Sequence, residues 1–141
     1  MFEKCLMKQN KLKSIFSACP SEESRYEKII EFGRQQIPLM PNEKTAVNIV
    51  KGCQSTMYLT SKLLDGLVFF QSESDALISS GLAAILIFVY NGETPETILK
   101  CPPNYLEELK IGASLTPNRA NGLYSIHLRM KQDALKWIIS K

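Results

Sequence analysis

The stretch Thr56-Met57-Tyr58-Leu59-Thr60-Ser61-Lys62-Leu63-Leu64-Asp65-Gly66-Leu67-Val68-Phe69-Phe70 decides the fold class. Thr56–Thr60 and Leu67–Phe70 are rich in β-branched and aromatic residues, which fit a pleated, half-buried strand. Asp65-Gly66 between them is a hairpin signal, because glycine accepts the positive φ of a tight turn. Upstream, Ala46-Val47-Asn48-Ile49-Val50 is expected to add a third strand, about the minimum for a small stable sheet. Downstream the pattern turns helical. Residues 82–89 are apolar on every side, so this helix belongs in the middle of the core. Ser74 is expected to cap it, with Asp75 in its first turn, and Asn91-Gly92 to end it.

The flanks read as helices. Leu6, Leu12, Ile15 and Phe16 mark one face of a first helix. Ser21 is placed to cap a second, whose apolar positions are Tyr26, Ile29, Ile30 and Phe32 and whose stop is Gly33. Thr94-Pro95-Glu96 opens a short helix, since proline at the first helical position loses no hydrogen bond. Pro102-Pro103 ends it, and Asn104 with Glu107 forms a capping box for the next. Thr116-Pro117 opens a long C-terminal helix with an inner face of Leu123, Ile126, Met130, Ala134, Trp137 and Ile138. The order predicts one α+β domain over residues 1–141, an antiparallel sheet of about three strands backed by several helices.

Composition narrows the function classes. Seventeen Lys+Arg against fourteen Asp+Glu give +3, too little to argue for nucleic acid or an anionic membrane. The longest apolar run, Ala76–Tyr90, falls short of the roughly 20 residues that a membrane span needs. The N-terminal stretch through Lys13 is polar and lysine-rich, unlike a secretory signal. Cys5, Cys19, Cys53 and Cys101 are too widely spaced for a loop that presents two thiolates to zinc, and His127 is the single histidine. A cytoplasmic protein with reduced thiols and no metal is the expectation.

One segment carries chemistry. In Val50-Lys51-Gly52-Cys53-Gln54-Ser55, Gly52 frees the backbone to turn where a loop feeds a strand, and Cys53 stands at a polar tip beside Lys51. A thiol there is open to a partner, and a nearby cation favours its thiolate. The competing reading is a small apolar filler, because unpaired cysteines are among the most buried residues. Arg119 stands near the start of the last helix, where a cation opposes the helix dipole, so an acidic group is expected to hold it.

Four blocks in order, Gly52-Cys53-Gln54-Ser55, Ser74-Asp75-Ala76, Asn91-Gly92-Glu93-Thr94-Pro95 and Leu115-Thr116-Pro117-Asn118-Arg119-Ala120-Asn121-Gly122-Leu123, resemble the SufE family. The helix at Tyr26–Gly33 also matches, so the similarity runs from about Ser21 to the C-terminus. The resemblance implies a curved antiparallel sheet covered by helices, in a sulfur acceptor of the Suf iron–sulfur cluster system. It implies that Cys53 takes persulfide sulfur from a SufS-like cysteine desulfurase, stimulates that enzyme and passes sulfur to iron–sulfur scaffold proteins. It further implies that the cysteine tucks into an apolar pocket at rest and swings out on docking. Lys51, Gly52, Gln54, Asp75 and Arg119 would support the loop or bind the partner. The chain itself would need no cofactor, since the pyridoxal phosphate belongs to the desulfurase. Two positions depart from the family pattern: Ser114 stands where a histidine is frequent, and Glu73 where an aspartate is. A second class of function, a hydrolase or transferase with Cys53 as nucleophile and His127 as base, requires those two side chains within hydrogen-bond reach.

Overall fold

Among the described residues, two strands form the sheet. β1 (Met57–Leu64) and β2 (Leu67–Ser74) pair antiparallel, from Met57 opposite Ser74 to Leu64 opposite Leu67. Asp65 and Gly66 turn the hairpin with φ of 52° and 78°, the left-handed pair that matches strand twist. The computed structural model describes residues 2–53, 55–101 and 117–140, the side chains of 117–121 excepted.

The expected third strand is a correction. Ala46–Asn48 forms a single 3-10 turn, and only the residues after it reach the sheet, through a bridge of Ile49 with Tyr58. Asn48 explains the change: its Nδ2 donates to Glu43 O at 2.7 Å, a local bond that competes with a ladder. A second bridge, Val68 with Glu93, closes the other edge.

Among the described residues there are five helices: α1 (Glu3–Ser17), α2 (Glu22–Arg34), α3 (Leu77–Tyr90), α4 (Pro95–Lys100) and α5 (Pro117–Ile139). As its all-round apolar sequence requires, α3 is central, and it packs on α1, α2, α5 and β2. Leu82, Ile85, Leu86 and Tyr90 on α3 are buried with Leu12, Ile29, Leu59 and Ile98 from four other elements. Each such side chain contributes on the order of 1.5–3 kcal/mol relative to exposure. Close approach of α2 and α3 depends on Gly81, because a Cβ there would run into the Ile29 backbone.

The Ser21 cap is as expected, Thr94 also caps its helix, and Ser74 and Gly33 depart from expectation. Ser21 accepts from Ser24 N at 3.1 Å, and Thr94 Oγ1 accepts from Thr97 N at 3.2 Å. Ser74, expected to cap α3, instead ends β2, and Ala76 is the N-cap, so Asp75 precedes the helix rather than lying in its first turn. Ser74 Oγ still serves the junction, accepting from Ala76 N at 3.2 Å and donating to Thr56 O at 2.8 Å. In α1 the buried stripe is Cys5, Gln9, Leu12 and Phe16, with Leu6 exposed. Gly33 does not stop α2; it lies within the helix, where a Cβ would come within 2.7 Å of Gly81 N. On α5, Leu123, Ile126, Met130 and Ala134 are buried as expected. The elements expected at Pro102-Pro103, Asn104 and Glu107 lie outside the described residues. No helix among the described residues is long and apolar enough to cross a membrane.

Candidate functional site

The loop ahead of β1 is closed at its base by Val50 N donating to Met57 O at 2.8 Å. Residues 51–53, 55 and 56 lie beyond that bond. Lys51 and Gly52 are exposed, and Gly52 adopts φ 93°, a conformation that side chains resist. Glycine is needed for a second reason: a Cβ at this position would strike Ser125 Oγ on α5. The turn therefore lies directly on the helix and delivers Cys53 to its surface.

Cys53 is half-buried and packs against the edge of the core. Its Sγ donates to Gly122 O at 3.9 Å, a long contact for a weak donor. Gly122 lies beside the sulfur, and a Cβ there would stand 3.9 Å from it, an ordinary packing distance. Burial pushes the Cys53 thiol above its ordinary pKa, so the resting side chain is a thiol. Lys51 is exposed beside it, and burial is the cause that acts on the sulfur.

The legs of the loop are tied separately. Arg129 on α5 holds the incoming leg, its Nη1 donating to Ile49 O at 2.9 Å and its Nη2 to Val47 O at 2.6 Å. Its Nε donates to the buried Asp133 carboxylate at 3.2 Å. The outgoing leg is tied by Ser55 Oγ to Ser79 Oγ at 2.8 Å and by Ser74 to Thr56 O. A groove of about 500 Å³ runs beneath the loop, lined by Val47, Ile49, Lys51, Ser125, Leu128 and Arg129 among others.

Strand register places exposed Asp75 at the foot of the outgoing leg, one residue past Ser74, which pairs with Met57. Arg119 lies in the first turn of α5, one turn before Gly122. Gln54 and Ser114 lie outside the described residues. Glu73, one of the two departures, accepts from Leu39 N at 2.9 Å and pairs with Lys44, which holds its carboxyl below the ordinary value.

His127 is not brought to Cys53 by any hydrogen bond among the described residues. It is 5% exposed and stacks on Tyr90 with ring centroids 5.3 Å apart. Burial, aided by Lys131, lowers its pKa to about 4. Sequence reasoning missed Arg129, Ser125 and Gly122 as supports of the loop. An Arg129–Asp133 pair at i,i+4 on the last helix was the available signal, and such pairs are common on exposed helix faces.

The SufE family model, described as an Fe-S metabolism associated domain, matches residues 10–134. An uncharacterized SufE-like protein of Synechocystis sp. is 42% identical over 111 residues, covering 79% of this chain and 70% of that protein. The solution structure of a hypothetical protein from Thermus thermophilus superposes with a TM-score of 0.78 at 22% identity, covering 94% of this chain and 96% of that one. A likeness at that identity speaks for the fold.

Proposed function

The chain belongs to the SufE family of Fe-S metabolism associated domains, and on that premise we propose that it is a sulfur acceptor whose Cys53 takes persulfide sulfur from a SufS-like cysteine desulfurase. The observation that carries the reading is the Cys53 loop itself. Its base is fastened by Arg129 and the Val50–Met57 bond, while its sulfur lies at the edge of the core, half-buried, with a long contact to Gly122 O. Releasing that sulfur therefore costs little, and the rest of the fold need not move.

The chemistry is exchange at a persulfide. Cys53, as thiolate, attacks the terminal sulfur of the donor's R–S–SH; a new S–S bond forms, the donor's S–S bond breaks, and R–S⁻ leaves. The product is Cys53–S–SH, with no net change in oxidation state. Rate depends on thiolate fraction and alignment. Because burial is what raises the Cys53 pKa, swinging the sulfur out of its pocket both exposes and activates it. Docking supplies access and nucleophile in one movement, and no histidine base is needed. Lys51, Gly52, Gln54, Asp75 and Arg119 are assigned to supporting the loop and meeting the desulfurase. The pyridoxal phosphate that generates the sulfur belongs to that enzyme, and iron–sulfur scaffold proteins receive it next.

The test is mass spectrometry of the chain after incubation with a cysteine desulfurase and cysteine. One added sulfur on Cys53, together with faster desulfurase turnover, is the expected result. Cys53→Ser should lose both effects and keep its thermal midpoint. Full stimulation by the Ser variant would refute the carrier mechanism.

A further inference from the structure

Two other thiols share one sealed site. Cys5 lies in the first turn of α1 and Cys101 caps the end of α4, with exposures of 0% and 1%. Gln9, one turn beyond Cys5 and itself buried, directs its Nε2 at both sulfurs, 3.7 Å from Cys5 Sγ and 3.4 Å from Cys101 Sγ. The Cys101 thiol lies close enough to help burial raise the pKa of Cys5. Cysteines that merely fill space need neither a facing thiol nor a buried amide to serve them.

We propose that Cys5 and Cys101 form a dithiol site that a small aliphatic disulfide oxidises to an intramolecular disulfide, fastening α1 to the end of α4. Cys5 as thiolate attacks one sulfur of R–S–S–R, giving Cys5–S–S–R and expelling R–S⁻. Cys101 then loses its proton and attacks the Cys5 sulfur, expelling the second R–S⁻. The two thiol protons end on the two released thiolates. The pair is oxidised by two electrons and the small disulfide is reduced by the same two.

Opening governs the rate. In the closed state burial and the facing thiol push Cys5 up to about 12, which leaves little thiolate to react. Both sulfurs, however, sit at helix ends. Phe2, the N-cap of α1, makes no side-chain cap bond, and α4 is a helix of only 6 residues. Ends of this kind open far more often than the whole fold does. Lys8 restores the register after each opening, reaching Asn91 O at 3.0 Å and the Glu93 carboxylate at 2.8 Å. Closure then returns the two sulfurs to contact. The site is separate from the Cys53 loop, so it stands or falls independently of the sulfur-acceptor reading.

The full chain and its Cys53→Ser variant are incubated to equilibrium with oxidised glutathione, denatured, alkylated with iodoacetamide and mapped as peptides. In both, the Cys5–Cys101 link is expected at least about tenfold above any other cysteine pair, and the linked protein is expected to melt about 5–10 °C higher. Cys101→Ala should stop at a glutathione adduct on Cys5. Alkylation of all the thiols, unlinked adducts on the wild-type pair, or links dominated by other cysteines would each overturn the proposal. No desulfurase enters this experiment.

Discussion

Cys53 and the Cys5–Cys101 pair hold the same atom in opposite settings. Each of these sulfurs is taken from water, and burial raises the pKa of Cys53 as it raises that of Cys5. The difference lies in what surrounds them. Cys5 and Cys101 are closed in by α1, α4 and a buried amide, so exposing either disrupts helix packing. Cys53 lies half-buried on a turn at the edge of the core, and among the described residues its sulfur makes one long hydrogen-bond contact, to Gly122 O. The cost of exposing each sulfur therefore separates the two settings, alongside the resting pKa.

The largest effect that this contrast implies is kinetic. At pH 8, native protein treated with iodoacetamide should be modified at Cys53 at least about a hundredfold faster than at Cys5. A thiol raised from 9.0 to about 12 has a thousandfold less thiolate, and Cys5 has no exposure at all. Peptide-resolved mass spectrometry over time measures both rates in one sample. Equal rates would mean that the loop is as closed as the core, which would remove the physical basis of the acceptor reading.

Breaking the support of the loop comes next. Arg129→Ala removes three donated hydrogen bonds and leaves Asp133 buried without its partner. Losing one member of such a pair typically costs about 3 kcal/mol, because the remaining charge stays desolvated. Urea unfolding should show that loss. Arg129→Lys should recover only part of it, because one ammonium cannot serve two carbonyls and a carboxylate in their present directions. A loss below about 1 kcal/mol for the alanine variant would show that the incoming leg is held by something else.

Legibility in the sequence divides along the same line. Elements set by local chemistry could be read directly: the Asp65-Gly66 turn, the Ser21 cap, the helix start at Pro95 and the all-round apolar α3. Cys53 stood out because Gly52 and its polar neighbours mark an exposed turn. What depends on distant partners stayed hidden. Val47 and Asn48 have strand-like neighbours, yet Arg129 claims the Val47 carbonyl and Glu43 claims the Asn48 amide, so no third strand forms. Cys5 and Cys101 carry no signal singly, since nothing local to either reveals that α1 and α4 meet. Gly122 and Ser125 read as ordinary helix residues, and only the packing of the loop on α5 gives them a role.

The smallest of these effects concerns His127, on the closed side of the molecule. It stacks on Tyr90, whose hydroxyl donates to Cys101 O at 3.5 Å, so its ring is part of the packing that seals the thiol pair. Its folded pKa is about 4 against an ordinary 6.5, because burial and Lys131 both disfavour the imidazolium. Above pH 6.5 the ring is neutral in both states, and its contribution to stability is whole. As pH falls from 6.5 toward 4, the unfolded chain takes up a proton that the folded one refuses, so stability falls across that window. At pH 5 the loss relative to pH 7.5 should be about 2 kcal/mol, compared with His127→Phe, which keeps an aromatic ring against Tyr90 and cannot titrate. Urea unfolding of both proteins at the two pH values isolates the difference, because the carboxylates shared by both cancel. If the variant loses as much stability as the wild type, the histidine is already charged or solvated in the fold, and the seal over Cys101 is looser than the packing implies.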